Sequence, residues 1–384
     1  MNSVLCREEV NFEDKGPLKR IVCLLENMQG VNIIVNSTDK SLKLSDGGKI
    51  SKTILSYGGK EIQEELNEKY PNGIQPGKVA VTNGYGLPFN YVYHCSLQGI
   101  NNRVSHHEIR EVVAECLREA VDRLRQPTIA FPAIGTGAMN FPPRTLRAIY
   151  CAILEYMVEN PDKLEAAYLI VHPSQTTLID YLKKIDPEKE KNRLTFPVTF
   201  PSWSQTENIR RVSLPNSDNM YQFVEEKFLE TIGHGVWIKK IERVENKRLF
   251  VAYQRYKNDL VDGESTEKFL WHGTKEEHVD SIIRYGFDWR LTEHAAYGKG
   301  CYFAVNAEYS DSESYATSSK HGYKYMFLSY VVAGASCVGN YLFTEAEIPD
   351  HLQSTVNDED NPTIYVAYDD DQMYPAFVVV YKYN

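Results

Sequence analysis

The sequence predicts an α/β unit followed by an α+β unit whose sheet is mainly antiparallel. Three observations carry this. Between about residues 17 and 186, short apolar runs alternate with helical stretches, the pattern of a layered α/β fold. From Asp186 to about Pro201 the chain is charged, then proline-containing, and has no periodicity, so 187–200 reads as a linker. Beyond it, from 201 to 384, strand signals dominate and helices are few. A length of 384 residues exceeds one average domain and agrees with two.

In the first unit, Arg20–Leu24 and Val31–Val35 read as strands; the second is nearly all apolar, as a strand buried on both faces is. Helical patterns cover Gly48–Tyr57 and Lys60–Tyr70, and strands Lys78–Thr82 and Tyr91–Cys95. The strongest helix runs from His107 to Arg125, where Ile109, Val112, Val113, Cys116, Leu117, Ala120, Val121 and Leu124 form one stripe. Strand Thr128–Phe131, helix Pro143–Asn160 with proline at its start, strand Ala167–Val171 and helix Ser174–Ile185 behind a serine cap complete the unit. In the second unit, helix Tyr221–Thr231 follows the cap candidates Ser217, Asp218 and Asn219. Strand Trp237–Val244, helix Leu249–Asp259 and strands Tyr325–Val332, Ile364–Tyr368 and Ala376–Tyr381 follow.

Composition narrows the function. Hydrophobic residues make up 42% and charged residues 24%, enough apolar material for a globular core. A net charge of −10 gives nucleic acid no basic field to bind. The seven cysteines (Cys6, Cys23, Cys95, Cys116, Cys151, Cys301 and Cys337) show no CxxC or Cys/His spacing, so neither a metal site nor a disulfide framework is expected. No run approaches 18 apolar residues and no basic, then apolar, leader opens the chain. A soluble protein of the cytoplasm, the nucleus or both is the expectation, with no membrane partner.

Two glycine-rich loops in the first unit carry chemistry. Val35–Ser51 (VNSTDKSLKLSDGGKIS) ends a strand and opens a helix through paired glycines; Ala130–Pro143 (AFPAIGTGAMNFPP) repeats the arrangement. Successive backbone N–H groups beside a helix N-terminus cradle a diphosphate without basic side chains. One such turn is as often structural; two at matching strand ends point to a ligand. In the second unit, FLWHGT ends an apolar strand in His272-Gly273-Thr274, and YGKGCYFA resumes one after a permissive turn at Tyr297–Gly300. A helix at Lys275–Tyr285 and a loop at Asp288–Ala296 join them. Each piece alone reads as a buried hairpin element; together they form a clamp in which Gly273 lets backbone approach a flat polar group.

HGT followed by GKGxYFA resembles the NAD-binding core of the poly(ADP-ribose) polymerase superfamily, the diphtheria-toxin-like ADP-ribosyltransferases. The resemblance runs from Pro201 to the C-terminus. It implies that Gly273 pairs its backbone with the nicotinamide carboxamide, Ser310 adds a hydroxyl, and Tyr315 and Tyr302 flank the ring. It also implies that His272 bonds the adenosine ribose with Thr274 beside it, that Tyr309 lies near the ring, and that Asp288–Ala296 covers NAD. A bulky residue at 273 should then block NAD and leave the fold intact. Residues 17–186 resemble a macrodomain, the three-layer α/β/α module that binds ADP-ribose. That likeness puts Asn36 and Phe141 at the distal ribose. Gly47, Gly48 and Ile50 would lie on one side of the diphosphate, and Gly135, Thr136, Gly137 and Ala138 on the other. The chain departs from the macrodomain pattern: VNAAN reads VNSTD, the glycine triplet reads SDGG, and Gly-Asp-Ile reads Glu26-Asn27-Met28.

Polymer-forming transferases carry a glutamate where this chain aligns Ile364, giving His272, Tyr302 and Ile364 as the catalytic set. Isoleucine neither accepts a hydrogen bond nor acts as a base toward an incoming hydroxyl. An ionised carboxylate acceptor needs no such base. The expectation is therefore transfer of single ADP-ribose units from NAD to proteins, with the first unit reading ADP-ribose or ADP-ribosylated proteins. Two rivals stay open at this level: a degenerate transferase acting only as a reader, and a macrodomain hydrolase of the same mark. The retained His272, Gly273 and Tyr302 argue against the first, and the altered loops against the second. Nucleic-acid acceptors also stay open, unsupported by charge.

Overall fold

The computed structural model describes residues 10–12, 14, 16–97, 106–137, 141, 143, 145–195, 201, 203, 206–233, 235–259, 267–292, 295–344, 348 and 352–383. They form two compact units, dividing between Leu194 and Thr195.

The first unit holds β1 (Val10–Asn11), β2 (Leu18–Val22), β3 (Ile33–Thr38), α1 (Lys49–Gly58), α2 (Lys60–Lys69), β4 (Val79–Asn83) and β5 (Tyr91–Ser96). It continues with α3 (His106–Arg118), β6 (Thr128–Pro132), α4 (Thr145–Glu159), β7 (Ala166–Val171), α5 (Thr176–Lys184) and α6 (Pro187–Thr195). The sheet order is β1-β2-β7-β6-β3-β5-β4. From β2 to β5 every neighbour is parallel, and the two edge strands are antiparallel. Each face has its own core. Ile33 and Val35 of β3 pack with Val112 of α3, Ile149 of α4 and Leu178 of α5. Ile34, pointing the other way, packs with Ile54 of α1 and with Ile62 and Leu66 of α2. This is the three-layer α/β/α arrangement expected.

Local chemistry moved several boundaries. The long helix expected to Arg125 leaves α geometry at Glu119–Arg123, a π-helical turn in which Leu124 N–H reaches back to the Glu119 carbonyl. Ser174 does not cap α5: its hydroxyl lies 2.7 Å from His172 Nδ1, and the helix opens two residues later. The stretch read as a linker contains α6. Asp186 Oδ1 accepts from the N–H groups of Glu188 and Lys189, and Pro187 occupies the first turn, a helix start hidden in a charged run. Glu190 then receives Arg147 Nε at 2.6 Å and the Cys151 thiol at 3.2 Å, so α6 is fastened to α4 and the first unit ends at Leu194 rather than 186. Residues 196–200 lie outside the described residues.

The second unit contains β8 (Ile209–Ser213), α7 (Asn219–Ile232), β9 (Val236–Asn246), α8 (Lys247–Asp259), β10 (Glu267–Thr274), α9 (Glu276–Tyr285) and β11 (Cys301–Ala304). Then come α10 (Ala307–Ser310), β12 (Lys324–Val332), β13 (Ser336–Val338), β14 (Ser354–Val356), β15 (Ile364–Ala367) and β16 (Met373–Tyr383). The order is β13-β14-β15-β11-β10-β12-β16-β9-β8, and only β13/β14 is parallel. Of the three cap candidates Asp218 opens α7, accepting from Met220 N–H at 2.7 Å. One face of the sheet packs Trp271, Leu328 and Phe377 against α7 and α8. The other packs Phe303, Phe327 and Val378 against α9. The mainly antiparallel α+β unit is as expected.

Candidate functional site

The carboxyl ends of β2, β3, β6 and β7 surround a cavity of about 440 Å³, the place where parallel strands of an open α/β sheet present ligands. Cys23, Leu25 and Glu26 line it after β2; Ser37, Thr38 and Asp39 close β3; Pro132 and Ala133 follow β6; Ile170 and His172 end β7. Both glycine loops reach it. Gly47, Gly48, Ile50 and Ser51 form one wall, and Gly135, Thr136 and Gly137 another. Gly135 has φ +78°, and a side chain there would strike the Phe141 ring at 2.1 Å, so this loop needs a residue without Cβ. Among the described residues nothing stands within 4 Å of where a Gly137 side chain would begin.

Two expected contacts sit elsewhere, and a third cannot be placed. Asn36 is fully buried behind the wall: its amide nitrogen is 3.2 Å from His94 Nδ1, and its oxygen accepts from Ser51 Oγ at 3.0 Å. Phe141 is buried over Gly135 and does not line the cavity. Ala138 lies outside the described residues. Thr82 Oγ1, 3.0 Å from His94 Nε2, extends the row inward from Asn36. Burial drives the His94 imidazole down to about 3, so it is neutral. Sequence reasoning missed His172, Ser174 and Lys49, which meet at the mouth with Lys49 Nζ 3.2 Å from His172 Nε2. Burial and the Lys49 cation depress the His172 imidazole. The position of His172 just after an apolar strand was the available signal.

In the second unit the clamp arises where two strands part. β10 and β11 share one register pair, Trp271 opposite Ala304. Past it, His272-Gly273-Thr274 stays paired with β12 and separates from β11. His272 bridges the gap: its Nδ1–H donates to the Tyr302 carbonyl at 2.8 Å, leaving Nε2 as an acceptor. The ring lies edge-on to Phe287, centroids 4.9 Å apart, and burial lowers its pKa, so it is neutral near pH 7. Strand alternation gives Gly273 the same side as Trp271, whose carbonyl accepts from Ser310 Oγ at 3.1 Å. A Cβ at Gly273 would fall 2.1 Å from the Ser310 carbonyl oxygen, which explains glycine there.

The Tyr302 hydroxyl is fully engaged. It accepts from Tyr297 N–H and donates to the Gly298 carbonyl, both at 2.9 Å, and burial raises its pKa. Only its ring is available to a ligand. Tyr309 and Tyr315 stack at 5.6 Å with their hydroxyls 3.3 Å apart, both over two-fifths exposed. Thr274 is buried at the strand end. Ile364 opens β15 directly opposite Ala304 and is 5% exposed, on the same face as Tyr302. Asn357 Oδ1 accepts from Thr363 N–H and Ile364 N–H, so the polar group nearest this backbone is already occupied. Sequence reasoning also missed Asp311. It accepts from Tyr381 and Tyr383 hydroxyls at 2.6 Å each and pairs with nearly buried Lys324, tying the loop of Tyr309, Ser310 and Tyr315 to β12 and β16.

Among the described residues no group of three or more His, Cys, Asp or Glu side chains is placed to hold a metal ion. Among them too, no helix is long and apolar enough to cross a membrane.

Each unit matches a known family. The Macro domain family matches residues 35–150 and the Poly(ADP-ribose) polymerase catalytic domain family residues 218–345. Protein mono-ADP-ribosyltransferase PARP14 of Homo sapiens is 34% identical over 203 residues, covering 50% of this chain and 11% of that protein. Protein mono-ADP-ribosyltransferase PARP12 of Mus musculus is 33% identical over 184 residues, 45% of this chain and 25% of the relative. Protein mono-ADP-ribosyltransferase PARP11 of Mus musculus is 30% identical over 218 residues, 50% of this chain and 66% of the relative. The chain thus spans about a tenth to a quarter of the first two relatives and about two thirds of the third. With both family matches falling on the two units, the chain joins a Macro domain to a Poly(ADP-ribose) polymerase catalytic domain.

Proposed function

We propose that the chain is an NAD-dependent protein mono-ADP-ribosyltransferase whose first unit binds ADP-ribose. The observation that carries this is the parting of β10 and β11 around Gly273, with His272 bridging to Tyr302 and an apolar Ile364 on the Tyr302 face. Gly273 offers backbone N–H and C=O to the nicotinamide carboxamide. Ser310 Oγ, already donating to Trp271, keeps lone pairs for the carboxamide N–H. The rings of Tyr315 and Tyr302 hold the nicotinamide between them. Neutral His272 accepts a ribose hydroxyl at Nε2, beside Thr274. As the nicotinamide–ribose bond breaks, the developing cation meets no carboxylate at position 364, so an incoming hydroxyl is not activated there. A protein carboxylate arrives already ionised and takes one ADP-ribose. In the first unit, Gly47, Gly48 and Ile50 face Gly135, Thr136 and Gly137 across the diphosphate, Glu26 serves the adenine end, and the Asn36 row supports the wall beside the distal ribose. Among the described residues the cysteines form no disulfide and five of the six are buried, which suits a reducing compartment, the cytoplasm or nucleus.

Incubation with NAD labelled in its adenylate tests the reading. Covalent label on protein, released by phosphodiesterase as AMP with almost no phosphoribosyl-AMP, is expected. No covalent label would reduce the chain to a reader, and label lost from modified protein on incubation with the first unit would favour the hydrolase.

A further inference from the structure

Two rings and two lysines gather where β9, β16 and the turn before β12 meet, and the NAD clamp uses none of them. Trp237 of β9 pairs across the sheet with Lys382 of β16, and the Tyr323 ring lies 6.4 Å from the Trp237 ring. The Lys382 ammonium is 5.3 Å from the Trp237 ring and 5.7 Å from that of Tyr323. Lys239 is the extra residue of a bulge, where the register jumps from Val380 opposite Lys240 to Tyr381 opposite Ile238. A bulge re-aims a side chain, and here the Lys239 ammonium sits 4.1 Å over the Tyr323 ring. The turn carrying Tyr323 is fixed: Ser319 N–H donates to the Tyr323 carbonyl at 2.8 Å, and Tyr323 N–H to Ser319 Oγ at 3.1 Å. Trp237 is 46% exposed, and β8 pairs only with Glu242 to Asn246 of β9, so it stops short of the cluster. Among the described residues neither ammonium has a carboxylate within ion-pair distance, in a chain of net charge −10. Each keeps N–H donors to give, so the complementary partner is an anion.

We propose that Trp237, Lys239, Tyr323 and Lys382 form an exosite for an acidic segment of the acceptor protein, apart from the carboxylate that is modified. This rests on the reading of the second unit as a transferase to protein carboxylates. Single-stranded nucleic acid binds basic, aromatic surfaces by stacking bases on open ring faces. Here the chain's own ammonium groups sit over both rings, so the surface offers charge in place of stacking. Lysine ammonium groups are compact point charges and suit carboxylates. In the sheet order β9 is the fifth strand from β15, about 24 Å from Ile364 at ordinary strand spacing. At least about seven residues of extended chain span that gap, so the exosite selects acceptors by what flanks the modified residue at a distance.

The test uses the full chain and a synthetic glutamate-rich peptide long enough to span the gap. Binding of the dye-labelled peptide is read by fluorescence anisotropy without NAD, and transfer of labelled ADP-ribose to it by initial rates. Lys239→Gln combined with Lys382→Gln is expected to weaken peptide binding and raise its KM about fivefold, two exposed ion pairs' worth. The kcat, and NAD hydrolysis without peptide, should stay at the parent level. Lys239→Arg combined with Lys382→Arg keeps the charges and should remain within about twofold of the parent. High salt should erase the difference between parent and the glutamine variant. Parent-level binding and KM in the glutamine variant would overturn the proposal. So would a matching fall in kcat or NAD hydrolysis, which would tie the lysines to the clamp. Displacement of the labelled peptide by oligothymidylate more readily than by unlabelled peptide of equal charge would make this a nucleic-acid surface and also overturn it. A parent that neither cleaves nor transfers from NAD sinks the transferase reading, a separate result, because anisotropy reads the exosite without turnover.

Discussion

Ile364 is a single side chain with a large consequence. It is buried opposite Ala304, and its N–H is held by Asn357. Ile364→Glu would place a carboxylate in an apolar, already satisfied wall, raising its pKa and costing about 2–4 kcal/mol of stability. The expected result is lower activity with AMP as the sole phosphodiesterase product; phosphoribosyl-AMP in quantity would defeat the argument. In the cavity, Gly137→Glu enters open space and so leaves the fold intact, and its carboxylate meets the diphosphate. ADP-ribose affinity should fall about a hundredfold or more by calorimetry. Gly273 is a worse probe than its place in the motif suggests. A side chain there collides with the Ser310 backbone, so Gly273→Trp disturbs the loop as well as the space for NAD, contrary to expectation.

At the level of elements, the loop after α10 depends on Asp311. Lys324, Tyr381 and Tyr383 converge on its carboxylate from β12 and β16. Asp311→Asn weakens that ion pair while Glu313 still reaches Lys324 at 3.0 Å. Stability should fall by about 2 kcal/mol and KM for NAD should rise several-fold with a smaller change in kcat, because Ser310 and Tyr315 lose their anchor. Unchanged KM would show that the clasp does not position the loop. β5 makes a second prediction through His94. Its folded pKa, about 3, lies below the ordinary value near 6.5, so the unfolded chain takes up a proton first as pH falls. Stability from this group is intact above about pH 6.5 and declines by about 1.4 kcal/mol per unit below it. Urea midpoints at pH 7 and 5 should show that slope, and His94→Gln should flatten it.

At the scale of the whole chain, two units with separate cores predict separable behaviour. Residues 1–194 and 195–384, expressed apart, should each fold. In the full chain, ADP-ribose at a hundredfold excess over Kd should raise the first unit's unfolding midpoint by about 5–10 °C and leave the second in place. A single transition shifted as one body would refute the separation.

The sequence by itself determined the class of each unit, because hydrophobic period is a local property and both cores follow it residue by residue. It also determined the glycine walls and the His272-Gly273 turn, since a position that excludes Cβ leaves a glycine in the chain whatever surrounds it. Helix α6 was legible only in hindsight, its Asp186–Pro187 start being masked by charge. Tertiary structure alone decided the rest. Asn36 and His94 are 58 residues apart, and Asp311 and Tyr383 are 72 apart. Hydrogen bonds over such separations leave no periodic trace, because their partners meet only when the sheet registers are set.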